Sequence, residues 1–384
     1  MRVSAGGRAI RIRFANPHSY TPLRFGRATV ALAGERPASL AGPALPVLVG
    51  GESEIEVHPG CLVTSDPIPL VLPDLATVAL SVYCPAPVEI SGHDWANRSA
   101  WTTLPAIGDL TRSDSGAGFR PFGTSWAWVD AIEVCDADVS GAVAVLGDSI
   151  TDGAGSDFGT DTRWTDLLAE RLLGLPSGDP RRRAVANAGI GGNTLRGQGT
   201  PLTGVNAWSR LDRDVLSLAG ITEVIVFAGT NDLSDGVSHD VVIKGLAAIA
   251  DRIQAAGCSA FVATMAPRRG GYSWTPSHDL QRRLTNDWIR QQSVFDAVLD
   301  LEAVVDDPDS PGQLSAGFDA DKTHPNAAGY QAIATSVDLE LFSCVPARRD
   351  GRQLAPNHQT RRRPVRSTQH ISARPTQEMK GNTR

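Results

Sequence analysis

The sequence predicts two folded regions of different class. Residues 1–140 read as a small antiparallel β region of sandwich or barrel type, and residues 141–344 as a parallel sheet with helices on both faces. Three observations carry this. Up to about Val139 apolar residues recur with period two in short runs bounded by Gly and Pro, clearest in Ile10-Arg11-Ile12-Arg13-Phe14. From Gly141 the rhythm changes, and apolar runs alternate with amphipathic stretches, the pattern of strand and crossover helix. After Phe342 large apolar residues almost vanish.

In order along the first region, further strands are expected at 28–32, 54–57, 75–83 and 126–134. In the second, strands are expected at 142–146, 184–187, 223–227, 259–264 and 297–301. Helices are expected at 163–173, 205–218, 240–256, 278–292 and 326–341. Residues 345–384 hold ten basic residues against two acidic, a net of +8, so the formal charge of −6 conceals a body of −14. This tail cannot bury enough surface to offset its ordering entropy and is expected to be a solvated, disordered appendage.

Composition narrows the function. An acidic body argues against nucleic acid as partner. The longest apolar runs, such as 142–146, fall far short of the ~20 residues that a membrane helix needs. The N-terminus shows no apolar signal-peptide core, so the sequence as given stays in the cytoplasm or has lost its leader. The five cysteines, Cys61, Cys84, Cys135, Cys258 and Cys344, lack metal-binding spacing and read as buried thiols, with Cys61–Cys84 a conceivable bridge only in a secreted protein.

The chemistry is expected where strands end. The first strand of the second region runs into Gly147-Asp148-Ser149, with a serine at the carboxyl end of a buried strand, where open α/β sheets build their sites. The next leads into Asn187-Ala188-Gly189-Ile190-Gly191-Gly192, whose backbone N–H groups can approach an anion, though neither the dinucleotide fingerprint nor a Walker lysine is present. The third ends in Gly229-Thr230-Asn231-Asp232, and Asn231 offers an uncharged amide donor. Last comes Asp321-Lys322-Thr323-His324-Pro325, in which Asp321 can orient the His324 ring and His324 can take a serine proton. Each of the first three blocks alone reads at least as well as a cap or a turn, and a lone Asp-x-x-His could arise by chance or bind a metal, though no companion His or Cys cluster has ligand spacing.

The four blocks in this order resemble the SGNH hydrolases, also called GDSL-type esterases and lipases, over roughly residues 141–342; Ile150 stands where the literal string has Leu. The resemblance implies a three-layer, flavodoxin-like fold and hydrolysis of acyl esters through an acyl-enzyme, without metal or organic cofactor. It implies Ser149 as nucleophile, His324 as general base and Asp321 as its partner, with an oxyanion hole from Ser149, Gly192 and Asn231. The β region is similar to the accessory domain of two-domain bacterial members, and the resemblance implies a secreted enzyme acting on a small or polymeric ester. An acetylxylan-type carbohydrate deacetylase is the alternative within the enzyme class, and a binding protein with a weakly active α/β region is the rival outside it. Arg268, Arg269, Tyr272 and Trp274, just past the fourth strand, are expected near the rim of the site or as a solvated loop. Trp126 and Trp128 are expected to share a buried face of one strand, and Trp164 and Trp288 to lie in the core.

Overall fold

The computed structural model describes residues 1–90, 92–93, 100–105, 107–200 and 203–343; the expected basic tail and Cys344 lie outside them. The N-terminal region holds the strands β1 (Ala9–Ala15), β2 (Leu23–Phe25), β3 (Arg27–Leu32), β4 (Leu45–Val47), β5 (Ile55–Val57) and β6 (Leu62–Thr64). It continues with β7 (Val78–Tyr83), β8 (Gly92–His93), β9 (Ala100–Thr103), β10 (Phe119–Gly123), β11 (Trp126–Ala127) and β12 (Val129–Cys135). Two three-stranded antiparallel sheets, β12-β1-β6 and β4-β3-β7, are joined by the pairs β2-β5, β9-β10 and β8-β11. The alternation in β1 works as expected on one face: Ile10, Ile12 and Phe14 are buried with Ala28, Val30, Val47, Val57 and Val78 in one apolar cluster.

The other face of β1 departs from the pattern. Arg13 is 3% exposed, because its guanidinium forks onto Asp130 (2.8 Å to each carboxylate oxygen) and reaches Ser217 Oγ at 2.9 Å. The single strand expected at 126–134 is two, broken at Trp128, which has φ 64°. Trp126 and Trp128 therefore do not share a strand face; the Trp128 ring lies 5.4 Å from Phe25 and its Nε1 donates to the Glu89 carbonyl at 2.8 Å. The strand expected from Leu75 begins only at Val78, since Leu75 has φ 63°. Cys61 and Cys84 are both free thiols, so the conceivable bridge is absent, and Cys61 is exposed rather than buried.

The second region is a five-stranded parallel sheet of β13 (Ala142–Gly147), β14 (Ala184–Gly189), β15 (Ile221–Phe227), β16 (Ser259–Ala263) and β17 (Ala297–Leu299), in the order β14-β13-β15-β16-β17. Counted within this sheet the order is 2-1-3-4-5, the flavodoxin-like arrangement. The helices are α1 (Ser149–Asp152), α2 (Trp164–Leu173), α3 (Ala207–Leu211), α4 (Thr230–Ser234), α5 (His239–Ala255), α6 (Pro276–Gln291), α7 (Glu302–Val305) and α8 (Ala327–Ser336). The helix expected over 205–218 is α3 followed by a π-helical turn, Asp212–Leu216. That expected over 326–341 is α8 followed by a 3₁₀ turn, Leu339–Phe342.

Side-chain alternation along the buried strands assigns the layers. Val143 and Val145 of β13, with Ile225 and Phe227 of β15, face Trp164, Leu168 and Leu172 of α2 and Tyr330 and Ile333 of α8. Ala144, Leu146, Val224 and Val226 face the opposite side, against Leu211 of α3, Leu246, Ile249 and Ile253 of α5 and Ile289 of α6. Trp164 is fully buried and Trp288 half-buried against this second cluster. The β region keeps its own apolar cluster, yet Met1–Ala347 form one compact unit. Polar ties join them, including Arg182 to Asp74 and Arg2 to Glu170, each at 2.8 Å. Among the described residues no helix is long and apolar enough to cross a membrane.

Candidate active site

The chain leaves β13 toward β14 on one side and crosses back to β15 on the other, which opens a crevice at the carboxyl end of β13. Ser149 stands there as the first residue of α1. The preceding Asp148 caps that helix, its Oδ1 accepting from the Ile150 N–H at 3.1 Å. Asp148 is 2% exposed, and burial pushes its carboxyl up to about 6 against the Ile150 N–H and the charges of His324 and Arg268, which favour ionisation.

His324 comes from the loop before α8, whose Asn326 cap accepts from the Gly329 N–H at 3.0 Å. The ring bridges two partners: Nε2 is 2.8 Å from Ser149 Oγ and Nδ1 is 2.8 Å from Asp321 Oδ2. Asp321 Oδ1 accepts from the backbone N–H groups of His324 at 2.8 Å and Thr323 at 3.0 Å, which folds the loop around the carboxylate. Burial pushes this carboxyl up, but the His324 ring and these N–H groups outweigh it and hold it below the usual range. Two contacts lock the serine and histidine segments together. Tyr330 donates to the Ala154 carbonyl at 2.5 Å, and Gly155 (φ 87°) lies so close that a Cβ would meet the Pro325 carbonyl at 2.5 Å.

Gly192 follows β14 with φ 69°, a conformation that disfavours any side chain, and Asn231 lies in α4, just past β15. Both border, with Ser149, Asp321 and His324, a cavity of about 620 Å³. All five expected site residues thus meet in one place. Of the four residues expected past the fourth strand, Arg268 and Tyr272 border the cavity while Arg269 and Trp274 do not.

Sequence reasoning placed Arg268 near the rim but missed the contacts that hold these groups. Asn231 Nδ2 donates to the Asn193 carbonyl at 2.9 Å, which fixes the amide and leaves its second hydrogen for another acceptor. Asp232 accepts from the Leu195 N–H at 2.6 Å and the Arg196 N–H at 3.1 Å, tying α4 to the glycine loop. Burial pushes the Asp232 carboxyl up, and those N–H groups work against the shift. Arg268 donates to Thr230 Oγ1 at 3.0 Å, to Ser234 Oγ at 2.8 Å and to the Tyr272 carbonyl at 2.6 Å. From the β region, Thr124 borders the cavity, and His93 Nε2 lies 2.9 Å from Oδ1 of Asp152, another cavity residue. Only the position of Arg268 beyond a strand end was a usable local signal; the others are joined by tertiary contact alone. Among the described residues no group of three or more His, Cys, Asp or Glu side chains is placed to hold a metal ion.

Residues 145–332 match the model of the GDSL-like lipase/acylhydrolase family. No curated protein matches the chain. Solved structures that are similar include Est24, a carbohydrate acetylesterase from Sinorhizobium meliloti (14% identity, covering 50% of this chain and 94% of that one, TM-score 0.41). Others are a member of the lipolytic protein G-D-S-L family from Veillonella parvula (18%, 51% and 94%, TM-score 0.40) and the acetyl xylan esterase AlAXEase (23%, 51% and 96%, TM-score 0.40).

Proposed function

The chain belongs through residues 145–332 to the SGNH, or GDSL-type, hydrolase family and is an ester-hydrolysing enzyme, and from that premise we propose that Ser149, His324 and Asp321 form its catalytic triad. The single observation that carries the reading is the unbroken hydrogen-bonded line from Ser149 Oγ through the His324 ring to Asp321, with both contacts at 2.8 Å, on the wall of the cavity.

In this mechanism His324 Nε2 takes the Ser149 proton as Oγ attacks the ester carbonyl carbon, and Asp321 stabilises the imidazolium that results. The carbonyl oxygen becomes an oxyanion held by the backbone N–H groups of Ser149 and Gly192 and by the Asn231 amide, each such donor being worth about 3 kcal/mol of barrier. Collapse breaks the bond to the alcohol oxygen, which leaves with the proton from His324. Water, deprotonated by the same nitrogen, attacks acyl-Ser149; the second tetrahedral intermediate collapses, the proton returns to Oγ and the acid is released.

The cavity of about 620 Å³ suits a small acyl ester, or one arm of a larger one. Acetylated carbohydrate is the second reading of the substrate, favoured by two exposed aromatics at the cavity, Phe158 and Tyr272, that offer flat faces to a sugar ring.

A fluorophosphonate is expected to label Ser149. Ser149→Ala is expected to lose the label and at least about 10⁴-fold in kcat on a p-nitrophenyl ester while melting at the wild-type temperature. Turnover retained in that variant would overturn the triad. A panel from acetate to long-chain esters with acetylated xylan separates the two substrate readings.

A further inference from the structure

Arg210 belongs to none of the four motifs. It lies in α3, on a segment that reads as an ordinary amphipathic stretch, and its side chain is fully buried. A guanidinium is not spent in a core without acceptors to satisfy it, and those of Arg210 are distinctive. Nη2 donates to the Gly147 carbonyl at 2.8 Å, Nη1 to the Ala188 carbonyl at 2.7 Å and Nε to Asn193 Oδ1 at 3.0 Å. Asp214 Oδ2 stands 3.3 Å from Nη1 as the counter-charge.

The acceptors lie on the segments that carry the proposed oxyanion donors Ser149 and Gly192. Gly147 ends β13 two residues before Ser149. Ala188 lies in β14, one residue before its end and four before Gly192. Asn193 follows Gly192 directly, anchors the loop by donating to the carbonyls of Thr203 at 2.7 Å and Val205 at 2.9 Å, and gives its own carbonyl to Asn231 Nδ2. One rigid planar fork thus joins the segments that carry Ser149 and Gly192 directly, and the segment of Asn231 through the Asn193 carbonyl. We propose that Arg210 is the positioning residue of the oxyanion hole, setting the spacing of the Ser149, Gly192 and Asn231 donors. The inference rests on the oxyanion assignment above.

Lysine keeps the charge and part of the volume but cannot reach three acceptors in one plane. Arg210→Lys is expected to lower kcat by about 10- to 100-fold with KM within about threefold, because small misplacement of donors is felt in the transition state and little in the bound ester. Circular dichroism and a thermal melt establish that the variant is folded. A role in folding alone would lower the melting temperature and leave kcat per folded molecule unchanged.

The decisive measurement is a double-mutant cycle with Asn231→Ala. If Arg210 acts through the donors, Asn231→Ala costs much less in the Arg210→Lys background than in the wild type; additive losses, or a wild-type kcat in folded Arg210→Lys, overturn the proposal. Should Arg210→Lys fail to fold, Asn193→Ala removes the side-chain acceptor of Nε together with the amide's bonds to the Thr203 and Val205 carbonyls, while Arg210 keeps its bonds to Gly147 and Ala188. It is expected to lower kcat several-fold with KM held, again non-additively with Asn231→Ala, and a wild-type kcat or additivity there overturns the proposal equally. A wild-type kcat for Asn231→Ala by itself would instead overturn the oxyanion assignment, a separate failure.

Discussion

The two regions bury strands by opposite means, and the contrast explains where the chemistry lies. In the α/β region all five strands run the same way, so their starts collect at one edge of the sheet and their ends at the other. Each edge is tied by a buried arginine. At the starting edge Arg183 meets Glu223 at 3.0 Å and donates to the Phe342 carbonyl at 2.8 Å; at the ending edge Arg210 gathers the site segments. In the β region the strands are short, antiparallel and, among the described residues, divided among five small sheets. No edge there collects chain ends, and its buried Arg13 points outward to the α/β region. A parallel sheet makes one edge chemical and leaves the other structural, whereas among the described residues the antiparallel region reaches the site through Thr124 and through the contact of His93 with Asp152.

The largest effect expected from this contrast is on stability. Arg183 and Glu223 are 0% and 1% exposed, so Glu223→Ala leaves a buried cation without its partner and is expected to destabilise the fold by about 3–5 kcal/mol. Chemical denaturation measures the loss. Because the pair sits at the edge away from Ser149, kcat per folded molecule is expected to stay at the wild-type value, and a fall in kcat would break the division between the two edges.

A smaller effect concerns the ending edge. Burial holds Asp148 at about 6, above the usual carboxyl value, so the folded state keeps the proton more tightly than the unfolded chain. The contribution to stability is fully present below pH 3.8 and is lost as the pH rises to about 6. Asp148→Asn keeps the cap on α1 and removes the titration. At pH 7 to 8 it is expected to be the more stable protein by roughly 2 kcal/mol, with the advantage vanishing toward pH 4. Equal stability of the two proteins across that range would show that the site edge does not carry the cost of a buried carboxylate.

The same contrast decides what was legible in the sequence. The five site residues lie at parallel strand ends and in the loop before the last helix, where buried apolar runs such as 142–146 point directly at the residue that follows them. The roles of Arg210, Asn193 and Asp232 were not legible because the partners that join them to the site lie 17 to 63 residues away and no local pattern marks them. In the β region the sequence pattern found β1 and β3. It missed the break at Trp128, where a residue other than glycine takes a positive φ while its ring packs on Phe25. Nor does it mark Arg13 as buried, since part of its cover comes from residues 213–217.

The smallest effect tests whether the β region shapes what the enzyme accepts. Thr124 follows β10 and borders the cavity; β11, just beyond it, pairs with β8, and His93 of β8 meets Asp152. The bound ester and this wall are therefore expected to share one space. Thr124→Trp adds bulk at that wall while Ser149, His324 and Asp321 keep their mutual contacts, so the loss is expected to grow with the ester. The ratio of kcat/KM for p-nitrophenyl butyrate over acetate is expected to fall by roughly five- to tenfold, about 1 kcal/mol of discrimination, the scale of a methylene or two in a pocket. Equal losses for both esters would mean that the substitution disturbs the reacting groups rather than the wall. An unchanged ratio with unchanged rates would place the bound acyl chain away from the β region, and would reduce that region to a support for α1 through the His93–Asp152 contact.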